Sequence, residues 1–245
     1  MMAKNLLMAS ITLLSTAGCA PIERMLLYYP SHHSSDNGLS PWTHDGRTIG
    51  YARPLDAPIN VWLMLHGNGG QAADRVYALP CFPENDSVYI LEYPGYGRRG
   101  GTPSMASLNQ AAKEAYLLLR DTHPRIPVCV AAESIGSGPA LSLASLDTQP
   151  DKFTLVVPFD TLSNVAERHF PRFLVRLILR DNWDNIAALA AYDGPVDIFG
   201  AETDTIVPVT HAQALAASYP KANMKIIPGG HNEWAHEEKV QFRYP

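Results

Sequence analysis

Residues 128–138 constrain this chain more than any other stretch. Val128, Cys129, Val130 and Ala131 form a short apolar run that suits a strand buried on both faces. Small residues surround Ser134, and Pro139, Ala140 and Leu141 open a helix. A serine at such a corner is held in a strained backbone conformation with its hydroxyl turned out of the fold. Strand and helix can then pass closely only where the residues two before and two after the serine are small. Ala132 and Gly136 occupy those positions. Alanine stands where glycine is usual, and its methyl group still fits. Small-residue turns between a strand and a helix are common, so the stretch by itself leaves a purely structural role open.

The rest of the chain supplies the setting. Ile59 to Leu65 is a continuous apolar run that ends in His66-Gly67-Asn68-Gly69-Gly70. Glycines directly after a buried strand let the backbone turn sharply and bring N–H groups close to a ligand. A phosphate loop is excluded, because no Lys-Ser or Lys-Thr follows and the spacing fits neither nucleotide fingerprint. Val88 to Glu92 reads as the next strand, and Ser104 as the N-cap of a helix from Met105 to Arg120. Further strands are expected at Phe153–Val157, Val196–Phe199 and Met224–Ile227, followed by a C-terminal helix. This alternation calls for an α/β fold with an open, mostly parallel sheet covered by helices on both faces. With 245 residues, 46% of them hydrophobic, the chain can build one such domain with a substantial core.

Three segments sit outside that alternation. Ile22 to Pro30 is apolar and is expected along the sheet edge; residues 31–46 read as a surface loop with His32 and His33 in solvent. Residues 158 to about 192 form an insertion containing Phe170 to Leu179, with Arg172, Arg176 and Arg180 four apart. It reads as a short helical cover over the sheet, too small for a large cap domain. A membrane-surface helix is the alternative reading, though the segment is too short to anchor the chain alone.

A serine is a weak nucleophile at neutral pH. It needs a histidine to take its proton, a carboxylate to orient that histidine, and backbone donors for the developing oxyanion. His231 lies in Pro228-Gly229-Gly230-His231-Asn232 after the last strand, and Asp204 lies in the loop after Val196–Phe199. The order Ser134, Asp204, His231 is the α/β-hydrolase order. Over residues 22 to 240 the chain resembles α/β-hydrolase-fold serine hydrolases, with four motifs in sequence. These are His66–Gly70 as the oxyanion loop, Ala132–Gly136 as the elbow, Asp204–Pro208 as the acid loop and Gly229–His231 as the histidine loop. Arg180 to Ile186 resembles the short cover of the Bem46-like, ABHD13/ABHD17-like subgroup.

The resemblance implies hydrolysis of carboxylic esters or thioesters, with Ser134 as nucleophile, His231 as base and then acid, and Asp204 orienting His231. It also implies an oxyanion hole from the backbone N–H groups of Asn68 and Ile135, no metal and no cofactor. His66 is expected to anchor its own loop by a hydrogen bond. Asp160, at the end of the preceding strand, is the alternative acid. Glu202 reads as a solvated loop carboxylate, and Glu133 either lines the pocket or faces water. Peptide or amide cleavage on the same residues, or a non-catalytic binding protein on the scaffold, are the rival functions.

The first residues carry a separate message. Lys4, the apolar Leu6 to Leu14 and the ending Thr16-Ala17-Gly18-Cys19 fit an export signal over residues 1–18, with residues 22–245 as the hydrolase domain. The ending resembles a bacterial lipobox with Cys19 as the lipidated residue. Within that resemblance Ala20 implies the periplasmic side of the outer membrane. A net charge of −5 argues against nucleic acid as a partner. Cys81 and Cys129 are expected to be free, and neither has a histidine at zinc-ligand spacing. The oligomeric state is left open.

Overall fold

The structure is a computed structural model describing residues 22–33, 38–236 and 240–244. The proposed leader, Cys19 included, lies outside them. Ten strands are described: β1 (Tyr29–Pro30), β2 (Ser40–His44), β3 (Arg47–Arg53), β4 (Val61–Leu65), β5 (Gly69–Gly70), β6 (Ser87–Leu91), β7 (Val128–Glu133), β8 (Phe153–Val156), β9 (Val196–Ala201) and β10 (Ala222–Ile227). The helices are α1 (22–27), α2 (Met105–Thr122), α3 (Ser137–Leu141), α4 (Leu162–His169), α5 (Arg172–Ile178), α6 (Asn185–Leu189) and α7 (Val209–Ala217).

Eight strands form one sheet in the order β10-β9-β8-β7-β4-β6-β3-β2. From β10 to β6 all neighbours are parallel, and β3 and β2 complete the edge antiparallel. Both faces of the central strands are buried, so β4 and β7 up to Ala132 read as unbroken apolar runs while their side chains still alternate between two cores. Leu63, Leu65, Val128 and Val130 pack with α2 on one face. Trp62, Met64, Cys129 and Ala131 pack with Ala72, Phe82, Trp234 and Phe242 on the other.

The chain leaves β4 towards β6 on one side and leaves β7 towards β8 on the other. Neighbouring strands whose connections run in opposite directions leave a crevice beyond their carboxyl ends. The loops after β4 and β7, which carry Asn68 and Ser134, therefore open into the same crevice.

Helix α2 starts where expected. Ser104 accepts from Ser107 N at 3.1 Å, and Ser107 Oγ accepts in return from Ser104 N. Three expectations are corrected. Residues 31–46 are not all loop: β2 pairs with β3 through a turn at Asp45 and Gly46, both with positive φ, and Trp42 turns into the core. Residues 22–30 do not run along the sheet edge. They form α1 and then β1, which pairs with β5 above the carboxyl ends of the strands. The expected C-terminal helix is, among the described residues, one turn at Trp234–His236. Trp234 and Phe242 both bury themselves in the same core, which folds this segment back onto the sheet.

Candidate active site

Ser134 sits at the end of β7 with φ of 51°, the left-handed region that costs a non-glycine residue about 1–3 kcal/mol. The strain is held by close packing. A Cβ on Gly136 would lie 2.3 Å from Leu65 O, and one on Gly138 would lie 2.5 Å from Trp183 Cγ. Ser137 Oγ donates to Ser134 O at 2.7 Å and accepts from Asn185 Nδ2 at 3.0 Å. The first residues of α6 thus brace the corner at Ser134.

His231 reaches this serine from the loop after β10. Its Nε2 lies 2.9 Å from Ser134 Oγ and its Nδ1 lies 2.6 Å from Asp204 Oδ2. The other carboxylate oxygen of Asp204 accepts from Ile206 N at 2.9 Å and Val207 N at 2.8 Å. With the carboxylate fixed in this way, Nδ1 carries its proton towards Asp204 and Nε2 is left to accept from the serine hydroxyl. The acid loop and histidine loop are themselves tied together, since Thr203 N donates to Gly229 O at 3.0 Å. The three side chains are buried, with Ser134 8% exposed at the floor of the crevice.

Asn68 and Ile135 border the same cavity as Ser134. Ile135 lies in the first turn after the serine, where N–H groups have no partner within a helix. The direction of the Asn68 N–H is set by its peptide partner. Gly67 O accepts from His66 Nδ1 at 2.7 Å, and in a trans peptide the N–H points opposite to the carbonyl. His66 therefore anchors its loop as expected.

Glu133 departs from both of its expected places. It is 5% exposed and neither lines the cavity nor faces water. Its carboxylate accepts from Gly67 N at 3.2 Å, from Tyr77 Oη at 3.2 Å and from Trp234 Nε1 at 3.4 Å, with Arg75 Nε at 3.9 Å. One carboxylate thus links the glycine loop, the segment after it and the turn that follows His231. Asp160, the alternative acid, makes no hydrogen bond with His231. Its partners are His211 Nδ1 at 2.7 Å, Asn164 Nδ2 at 2.9 Å and Thr161 N at 2.6 Å. Burial pushes this carboxyl up, but the hydrogen bonds from His211, Asn164 and Thr161 outweigh it and hold the group below its ordinary value. Glu202 is exposed, and Cys81 and Cys129 are free and buried.

A cavity of about 340 Å³ opens beside Ser134. Phe159, Leu162, Val165, Leu174 and Ile178, all from the segment after β8, are part of its apolar lining. His211 and this lining had no local signal in the sequence, because each depends on how the cover folds back.

An open sheet with a strained serine at its topological switch point, reached by a histidine and a carboxylate from the next loops, defines the α/β-hydrolase fold. Solved structures agree. An esterase of Pyrococcus furiosus matches with a TM-score of 0.64 at 15% identity, over 86% of this chain and 95% of that one. An alpha-beta hydrolase of Vibrio vulnificus matches with a TM-score of 0.64 at 17% identity, over 74% of this chain and 70% of that one. No protein-family model matches the chain. The uncharacterized protein Rv2307c of Mycobacterium tuberculosis is 29% identical over 229 residues, covering 86% of this chain and 81% of that protein. The lysophosphatidylserine lipase ABHD12 of Danio rerio is 26% identical over 178 residues, covering 64% of this chain and 47% of the lipase. Protein bem46 of Schizosaccharomyces pombe is 28% identical over 110 residues, covering 43% of this chain and 36% of that protein.

Proposed function

We propose that the chain is a serine hydrolase that cleaves carboxylic esters or thioesters through an acyl-enzyme intermediate. One observation carries this reading: the Ser134 hydroxyl lies 2.9 Å from His231 Nε2, with Asp204 behind the imidazole, at the floor of an apolar cavity. In the proposed cycle Ser134 Oγ attacks the acyl carbonyl while His231 takes its proton. The oxyanion accepts from the Ile135 and Asn68 N–H groups, and His231 returns the proton to the departing alcohol or thiol. Water then attacks the acyl-serine with His231 again as base, releasing the acid and free Ser134. Asp204 holds the imidazole in the required tautomer and stabilises its cation.

The acyl group is proposed to occupy the cavity. Its carbon-rich walls favour an apolar acyl chain over a peptide, which would require donors and acceptors along its length. The esterase and lipase names of the neighbour and relative described above agree with this reading. A fluorophosphonate probe tests it. Labelling of the folded chain that disappears in Ser134→Ala is expected, and persistent labelling in that variant would remove the assignment. Turnover of p-nitrophenyl esters of graded chain length then reads the acyl preference.

We also propose export and lipidation at Cys19, resting on the sequence of the first twenty residues. Incorporation of radiolabelled palmitate that is lost in Cys19→Ser is the expected result.

A further inference from the structure

The cover over the cavity turns apolar side chains outward as well as inward. In α5, Leu174, Val175 and Ile178 line the cavity, whereas Phe173 and Leu177, one turn apart, are 70% and 59% exposed. Across the mouth α1 repeats the pattern: Leu27 lines the cavity and Met25 is 75% exposed. Leu26, Phe170 and Ile206 belong to both sets, lining the cavity while remaining 44%, 46% and 47% exposed. The carbon lining therefore continues from the floor of the crevice onto the outer surface. Glu23 joins the two sides, because its carboxylate accepts from Arg180 N and from Asp181 N. Contiguous exposed apolar surface of this kind marks an interaction site.

Charge identifies what it meets. The chain has an excess of acidic residues, 24 against 19 Lys and Arg, yet Arg168, Arg172, Arg176 and Arg180 stand within residues 162–180 against Glu167 alone. Arg172 and Arg176 directly precede Phe173 and Leu177 in α5, and Arg180 follows the helix. Exposed apolar side chains flanked by arginines suit a bilayer surface: the rings and branches enter the acyl region and the long basic side chains reach the phosphates. Cys19 lies three residues before Ile22, at most about 11 Å of extended chain. Acyl chains on Cys19 would bring this same face to the membrane.

We propose that the mouth of the cavity is a docking surface for an anionic lipid bilayer, from which an apolar substrate enters without crossing water. Docking stands apart from the hydrolase reading; only the delivery of substrate rests on it, so the two fail separately.

The test uses the full chain with Cys19→Ser, which removes any lipid anchor. Phe173→Cys is labelled with the environment-sensitive dye NBD, Cys81 and Cys129 being buried. A second sample carries the dye at Asp147→Cys, an exposed position ahead of β8 at the other end of the sheet. With phosphatidylglycerol-containing vesicles, the expected result is a blue shift at position 173 that brominated acyl chains quench, and no change at position 147. Affinity for phosphatidylcholine vesicles alone, or after Arg176→Glu, is expected to fall at least about tenfold. Four outcomes overturn the proposal. They are no shift at position 173, affinity indifferent to lipid charge, a shift already present without vesicles (the patch covered by the chain's own residues), and a vesicle-free shift that grows with protein concentration (a second copy).

Discussion

The Asp160 carboxylate accepts from His211 Nδ1 at 2.7 Å. Adjacent strands β8 and β9 thus each lead to a carboxylate paired with a histidine, Asp160 with His211 and Asp204 with His231. Only the second pair reaches Ser134. The first ties the start of α4 to α7, because Asp160 also accepts from Thr161 N and Asn164 Nδ2. The same residue types at neighbouring strand ends therefore do different work, one pair holding the cover and the other facing the crevice.

Substitutions should separate the two pairs. Ser134→Ala and His231→Ala are expected to lower kcat by about 10⁴- to 10⁶-fold, and Asp204→Asn by about 10⁴-fold, with folding preserved by circular dichroism. Asp160→Asn is expected to stay within about tenfold of the parent. Steady-state kinetics on a p-nitrophenyl ester measures all four, and equal losses in Asp160→Asn and Asp204→Asn would contradict the division of roles.

Glu133 holds the loop after β4, proposed to supply an oxyanion donor, through Gly67 N and without touching the cavity. Removing one oxyanion donor costs 10² to 10³ in kcat, so a loosened loop in Glu133→Ala should cost about 10- to 10²-fold. The loss should fall on kcat more than on KM. Glu133→Gln keeps an acceptor for Gly67 N and should recover most of the rate. The alanine variant should also lose about 1–3 kcal/mol of stability, because the Tyr77 hydroxyl and Trp234 Nε1 donors lose their acceptor. Denaturant titration beside kinetics distinguishes the two effects.

The Asp160–His211 pair should appear as a coupled contribution to stability. His211→Ala and Asp160→Asn are each expected to cost about 1–3 kcal/mol, and the double variant less than their sum. The pH dependence follows from the lowered carboxyl pKa. Stabilisation by Asp160 is fully present above its unfolded value of 3.8 and is lost as pH falls through the lower folded value. The stability difference between the parent and Asp160→Asn should therefore shrink as the pH is taken below 3.8.

Burial pushes the Cys81 thiol up to about 11, and the Cys129 thiol higher still. Since the thiolate is the reactive form, both should resist iodoacetamide at mildly alkaline pH in the native chain and react once guanidinium unfolds it. Mass spectrometry of the alkylated peptides reads each site, and rapid native modification of Cys129 would contradict its place in β7.

Much of this was legible along the chain. The runs at Ile59–Leu65 and Val128–Ala131 announce doubly buried strands, because burial on both faces leaves no polar alternation to disguise them. The small residues around Ser134 and the loops holding Asp204 and His231 are equally local, since each records what its own backbone must do. Even β2 had a signal, the Asp45-Gly46 pair whose positive φ values close a two-residue turn. What the sequence left open was partnership. That Asp204 meets His231 while Asp160 meets His211, that Glu133 gathers three segments, and that Phe173 faces outward while Leu174 faces the cavity all depend on segments tens of residues apart crossing at one end of a sheet. A side chain's identity and its neighbours' pattern determine the backbone it sits on. Which distant group it touches is decided by packing, and only the folded chain contains that information.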